Sequence, residues 1–334
     1  MSKITIKDVA REAGVSIATV SNALNGSDVV HPKTREHVVD VARRLNYIPN
    51  VNGRQLRAAQ TYNIGLFIPS MTGSYYSNMA DTIHYICQKH GYELQIFIVK
   101  DNRSLFTRLQ NRSVDGAIMM FEGLTEADKK QLMKIPIPLV FMDQEVSGPN
   151  MSSVIYQSYE HGRMAARYLM GLCHQRFMHI FGVPNNYDSI QRLAGFESAL
   201  REAGLPLGEE YILSGRFERA AAYRSMHRFL QEGHPLPDAV FAANDLSALG
   251  CVMALREYSI RVPEDISVIG CDDNMLSSYV QPGLTTIRTH MEELGVEAAK
   301  EVFRLITEKQ GRIIRLPGDI IVRHSCAPRG LPQP

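Results

Sequence analysis

Two hydrophobic rhythms divide this chain of 334 residues. Over the first sixty or so residues, apolar positions recur at helical spacing. From Tyr62 onward, short apolar runs alternate with helical stretches. In the first stretch Ile6, Val9, Ala10 and Ala13 fall at i, i+3, i+4 and i+7, which is one face of a helix. Gly14 follows at once, and a turn between two crossing helices needs a left-handed residue, a conformation glycine adopts without steric cost. Ser16 stands where an N-cap is wanted, ahead of a second helix from Ile17. Val20 and Leu24 face inward from that helix, and Ile17, Ala18, Ser21 and Asn22 face outward. A small residue at Ala10, the glycine turn, the capping serine and the inward valine form a helix-turn-helix pattern. The alternative at this point is a plain helical hairpin inside a core.

Gly26, Ser27 and Asp28 are turn formers, and Pro32 suits the first position of a third helix over 33–45. Val38, Val41, Ala42 and Leu45 make its inward face. Arg35, Arg43 and Arg44 lie away from it, placed to meet phosphates or simply to be solvated. Pro49 stops the helix, because the residue before a proline is driven out of helical geometry. The next ten residues read as a short helix at best, with Gly53 in the middle. Leu56 is its lone large apolar residue, flanked by Arg54 and Arg57. Such a segment suits either a linker or an apolar wedge pushed into a minor groove between phosphate contacts.

Beyond residue 62, strands are expected at 63–69, 93–99, 115–120, 139–143 and 154–156, then at 177–183, 211–213, 239–243, 266–271 and 285–288. Helices fall between them, among them 76–90, 189–203, 221–232 and 246–258. Alternation of this kind predicts parallel sheets covered by helices on both faces. Two such sets predict two similar lobes.

Composition agrees with a globular protein: 45% hydrophobic and 21% charged residues. No apolar run approaches the ~20 residues that span a bilayer. The start MSKITIKD lacks a signal-peptide core, so the expected location is the cytoplasm. Five dispersed cysteines argue against a disulfide framework or a zinc site. The formal net charge of +1 hides an asymmetry. Residues 1–60 carry nine Lys/Arg and five Asp/Glu, and the remainder carries 27 and 30. A basic head on a mildly acidic body fits a polyanion-binding module joined to a receptor.

Ligands of open parallel sheets bind beyond the carboxyl ends of the strands. Ser70, Tyr75, Tyr76 and Asp143 follow strands of the first set. In the second, Asn185 and Asn186 follow a strand, Arg192 opens the next helix, and Phe217, Asn244-Asp245 and Asp272-Asp273 end others. Carboxylate, guanidinium and amide groups with aromatic platforms suit a polyhydroxylated or ribose-bearing molecule. Asp245 reads better as a helix cap, and Asp273 as structural. The histidines, His161, His174 and His179 among them, form no metal-ligand pattern. No nucleotide-loop or nucleophile-elbow motif and no acid/base pair occurs, so no catalytic residue, metal or cofactor is expected.

The segments TIKDVAREAGVS, TVSNALN, KTREHV and LNYIPN, with Leu56, resemble the head and hinge of the lactose/galactose repressor family. RLAGF, AANDLSALG and GCDD continue the likeness through the body. The resemblance implies a small all-α helix-turn-helix head (1–47) and a hinge helix (48–61). After them comes a bilobed α/β effector domain of the periplasmic-binding-protein type (62–330). Its chain crosses between lobes three times, giving lobe one about 62–158 and 289–316 and lobe two about 159–288 and 317–329. A final strand pair, 313–315 and 319–323, lies near the last crossing. The resemblance further implies that Ile17, Ala18 and Asn22 read bases and that Thr5, Ser16, Thr19, Ser21, Asn25 and Tyr47 sit near phosphates. Leu56 is then the minor-groove wedge. Arg192, Asn244 and Asp272 align with effector-contacting positions, and Tyr75, Tyr76, Asp143 and Phe217 with pocket positions. The expected partners are a double-stranded operator, a small effector such as a sugar or sugar derivative, and a second copy of the chain, as dimer or tetramer. The expected function is an effector-controlled transcriptional repressor. The rival expectation is a solute receptor of a sugar transport system that binds no DNA.

Overall fold

The computed structural model describes residues 4–24, 29–47, 60–71, 74–111, 113–121 and 123–329. The chain forms two compact units that divide between Thr61 and Tyr62. In the first, helix α1 (Ile6–Ala13) ends at Gly14, whose φ of 65° is the left-handed turn expected there. Helices α2 (Ile17–Leu24) and α3 (Pro32–Arg44) follow. The three pack about one small core of Val9, Ala10, Ala13, Val20, Ala23, Val30, Val38, Val41 and Ala42. Ala23 is the buried residue at the end of α2, and Leu24 is only partly covered. The expected hinge helix falls almost wholly outside the described residues.

The second unit contains two six-stranded sheets. The strands are β1 (Asn63–Ile68), β2 (Glu93–Ile98), β3 (Gly116–Met119), β4 (Leu139–Phe141), β5 (Met151–Tyr156), β6 (Phe177–Phe181), β7 (Ile212–Ser214), β8 (Ala239–Ala242), β9 (Ser267–Asp272), β10 (Thr285–Arg288), β11 (Ile313–Leu316) and β12 (Asp319–Ile321). Lobe one has the order β11-β5-β4-β3-β1-β2 with every pairing parallel. Lobe two has the order β12-β10-β9-β8-β6-β7, and only β10–β12 is antiparallel. The central strands β1, β3, β4, β5 and β8 are buried along their whole length, as strands covered on both faces must be.

The chain leaves lobe one after β5. The helix Ser158–Gly171 then packs on the helix Tyr187–Glu202 of lobe two. After β10 the helix Met291–Glu308 packs back on Ser74–Lys89 of lobe one. The expected final strand pair is corrected by the topology. β11 joins β5 in lobe one and β12 joins β10 in lobe two, so the two do not pair with each other. The chain passes between sheets in the few residues separating them.

Candidate functional site

In the head, the outer face of α2 is built by what its inner face buries. With Val20 and Ala23 in the core, Ile17 and Ala18 are exposed and Ser21 and Asn22 are half-buried. Ser16 Oγ accepts from the Thr19 amide at 3.0 Å and lies 2.8 Å from Thr19 Oγ1, the cap that starts the helix. The Thr5 amide and hydroxyl both donate to Asp8, at 3.0 and 2.7 Å, and Arg11 holds the same carboxylate at 2.6 Å. Tyr47 packs partly against the head core. Asn25 and Leu56 lie outside the described residues.

In the body, the carboxyl ends of β1, β4 and β5 and those of β6, β8 and β9 furnish a polar cluster. Tyr75, from the helix after β1, stands edge-on to Tyr76 with ring centroids 5.4 Å apart. Its phenol lies by Tyr156 at the end of β5, and burial pushes both hydroxyls above their ordinary range. Arg192, buried, donates from Nη1 to the Ala243 carbonyl at 2.5 Å and stands 3.8 Å from Asp272. It does not open its helix. It is the sixth residue of Tyr187–Glu202, whose cap is Asn186 accepting from Ser189 at 3.0 Å. Burial raises the Asp272 carboxyl, with Arg192 pulling it down and the nearby Asp245 and Asp188 pushing it up. The backbone of Asp272 has φ 122° and that of Phe217 φ 58°, strained values for non-glycine residues that concentrate at functional sites.

Asn244 is engaged within the protein at both ends of its amide. Its Oδ1 caps the helix Asp245–Glu257 by accepting from Ser247 at 2.9 Å, and its Nδ2 donates to the Phe217 carbonyl at 3.2 Å. The cap is therefore Asn244 rather than Asp245. Asp245 is instead a fully buried hub for Asn274, Ser277 and Thr286. Asp273 pairs with Arg288 and Arg323, as its structural reading expected. Phe217 lies over Gly182, where an added Cβ would come within 2.5 Å of its ring. Asp143 is buried just past β4.

The structure therefore brings Tyr75, Arg192 and Asp272 together, with Tyr76 edge-on to Tyr75, and joins Asn244 to Phe217 next to the Ala243 carbonyl that Arg192 engages. It adds residues that sequence reasoning missed: Tyr156, Asp188, His161 and Thr289. Asp188 lies one helical turn before Arg192 and accepts from Ser158 at 2.6 Å. The i, i+4 spacing from Arg192 was the one signal available for it. His161 is fully buried and its pKa is pushed down to about 3 by burial, then by Arg192, so it is neutral. Among the described residues, no hydrogen bond of good geometry reaches Tyr156 Oη, Thr289 Oγ1 or Arg192 Nε, all buried. A separate groove of about 590 Å³ on lobe one, between the helices Asn102–Gln110 and Glu126–Leu132, holds none of these residues. No metal-binding cluster of His, Cys, Asp and Glu occurs among the described residues, and none of their helices is long and apolar enough to cross a membrane.

Glycine sets how closely these groups approach. A Cβ on Gly195 would lie 1.8 Å from the Tyr159 carbonyl oxygen, and one on Gly162 would lie 2.0 Å from that of Arg192. Only paired glycines let the helices Ser158–Gly171 and Tyr187–Glu202 touch so closely, and that contact seats Ser158 against Asp188.

A three-helix head of helix-turn-helix form and a two-lobed α/β body with a polar cluster at its strand ends define the class: a DNA-binding transcriptional regulator. Residues 5–50 match the family described as bacterial regulatory proteins, lacI family, and residues 166–326 match a periplasmic binding protein-like domain. The chain is 33% identical to the HTH-type transcriptional repressor PurR of Histophilus somni (strain 2336), over 96% of this chain and 98% of that protein. It is also 33% identical to the probable HTH-type transcriptional repressor ExuR of Bacillus subtilis (strain 168), over 92% and 93%. Its fold superimposes on the lac repressor dimer bound to operator and the anti-inducer ONPF with a TM-score of 0.85. That likeness has 27% identity and covers 98% of this chain and all of that one. The chain belongs to the lacI family of bacterial regulatory proteins. The match at residues 5–50 removes the rival reading as a transport receptor without DNA binding.

Proposed function

We propose that this protein is a cytoplasmic, non-enzymatic repressor that binds a near-palindromic operator as a homodimer and is controlled by a small polyhydroxylated effector, a sugar, sugar derivative or nucleoside, held between its lobes. The observation that carries the effector reading is the convergence of buried polar groups, the Tyr75, Tyr156 and Thr289 hydroxyls beside Asp272, with Arg192 Nε left without an acceptor among the described residues. Buried polar groups are nearly always paired, so such a set favours a ligand that supplies hydroxyls. Tyr76 and Phe217 offer ring faces, and Asn244 and Asp143 line the same strand ends. In the head, Ile17 and Ala18 suit thymine methyls, and Asn22 an adenine edge. Thr5, Ser16, Thr19, Ser21, Asn25 and Tyr47 take the phosphates, and Leu56 the central minor groove. Exposed apolar residues support the second copy: Tyr85, Ile96 and Ile98 on lobe one and Met275, Leu276 and Tyr279 on lobe two.

The test is operator selection from genomic fragments with purified protein, followed by Asn22→Ala. We expect preference to relax at one position of each half-site, by about 1–3 kcal/mol, with the salt dependence unchanged. A uniform loss on all sequences would refute base reading by α2.

A further inference from the structure

We infer that Asp188 makes the cleft selective for uncharged or amine-bearing ligands and excludes their carboxylated and phosphorylated counterparts. This rests on the effector reading above and concerns a residue that reading does not need.

Asp188 stands in the first turn of Tyr187–Glu202, on the same face as Arg192. Its Oδ1 is held by the Ser158 hydroxyl at 2.6 Å. Its Oδ2 accepts no hydrogen bond among the described residues, so an acceptor is left over beside the cluster. Half-buried one helical turn before the buried Arg192, its carboxylate acts electrostatically on Tyr75, Tyr156, Arg192 and Asp272. An ionised carboxylate can only accept, so it welcomes a hydroxyl or an amine and repels a carboxylate or phosphate.

The other charges do not reverse this. Among the described residues Arg192 is the one guanidinium in the cluster; its Nη1 is directed at the Ala243 carbonyl and toward Asp272, and its Nε is left to donate to a hydroxyl. His161 is held neutral by burial. His290 is occupied by Asp319 at 3.0 Å. Asp143 adds another carboxyl at the same strand ends. Even when Asp272 carries its proton, the Asp188 carboxylate balances Arg192, so an incoming anion meets no net positive field. In a partly enclosed site a unit charge several ångströms away changes affinity by roughly ten- to a hundredfold.

The experiment measures binding by the full-length protein and its Asp188→Asn and Asp188→Ser variants. The ligands are matched sets differing only in charge: hexoses, hexosamines, hexuronates and hexose 6-phosphates in one arm, nucleosides and their monophosphates in the other. Calorimetry and thermal shift give the affinities, and circular dichroism confirms that the variants fold. The expected result is a wild type that prefers the neutral or aminated member of a set over its anionic partner by at least about tenfold. Both variants should narrow that gap by about the same factor. A wild type that binds an anionic member as tightly as its neutral partner overturns the inference and leaves the effector cleft standing. Equal discrimination by wild type and variants removes Asp188 as its source. If no member of either arm binds any form, the effector reading fails and this inference falls with it.

Discussion

The two lobes share one architecture and furnish the cleft with different chemistry. Lobe one presents mainly hydroxyls and rings, Tyr75, Tyr76 and Tyr156, beside the single buried carboxyl of Asp143. Lobe two presents charges: Asp188, Arg192 and Asp272. Each of those charges is already satisfied in part close to home, Arg192 by the Ala243 carbonyl, Asp188 by Ser158, and Asp272 by Arg192. The physical reason is desolvation. A buried charge without a partner is far more costly than a buried hydroxyl without one, so groups that change neighbours when lobes move are better neutral. The difference suits the proposed effector site, with lobe two as a fixed electrostatic mould and lobe one as the more neutral surface facing it. Effector and operator affinities are then coupled through whichever lobe arrangement the ligand favours.

The sharpest way to break this comparison is to insert one methyl into each lobe's helix pair. Gly195→Ala drives a Cβ against the Tyr159 backbone in lobe two, where nothing flexible can yield. It should destabilise the body by about 3 kcal/mol or more, seen in urea unfolding. Gly295→Ala in lobe one meets the Thr82 side chain at 3.3 Å and the Met79 carbonyl at an ordinary contact distance of 3.6 Å. Its helix-propensity gain of about 1 kcal/mol should offset most of that crowding. Equal losses would mean that lobe two is no more rigidly packed than lobe one.

Next in size is the contrast between a charge and a hydroxyl. Arg192→Ala removes the cation that faces Asp272 and should weaken the effector found in the ligand panel by about 3 kcal/mol, roughly a hundredfold. Tyr75→Phe deletes one hydroxyl of lobe one and should cost about 1 kcal/mol, roughly fivefold. Isothermal titration distinguishes the two, and a larger loss at Tyr75 would invert the assignment of roles.

The most graded effect is on acid stability. His161, His174 and His179 all lie in lobe two, and burial depresses their pKa values to about 3, 4 and 3. The unfolded chain takes up these protons near pH 6.5 and the folded one does not. Their contribution is therefore complete above pH 6.5 and is lost as the pH falls toward 4, by about 1.4 kcal/mol per histidine per pH unit. Hydrogen exchange at pH 7 and pH 5 should show lobe two losing protection faster than lobe one. His179→Leu should remove one share of the slope. Parallel losses in both lobes would show that these histidines do not govern the acid limb.

Local spacing made the head legible. Ile6, Val9, Ala10, Ala13 and Gly14 specify a helix and its left-handed stop within nine residues, because helical contacts are i+3 and i+4 contacts. The alternation of apolar runs likewise sufficed for two parallel-sheet lobes, since strands buried on both faces must read as continuous apolar segments. Asp272 stood out because it ends a strand, and Arg192 because RLAGF resembles a family motif.

Tertiary structure alone decided the rest. Tyr75, Tyr156, Asp188, Asp272 and Thr289 are scattered over more than two hundred positions of the chain, and only the crossings between lobes make them neighbours. Whether Asn244 or Asp245 caps its helix depended on a side-chain torsion and on the distant partners Ser277 and Thr286, which no spacing encodes. The separate fates of β11 and β12 followed from the vacant edges of two different sheets. Sequence determined which segments form and which faces they bury, because those are short-range questions of steric preference and solvation. The fold decided which charges meet, because burial and partnership are properties of the assembled molecule.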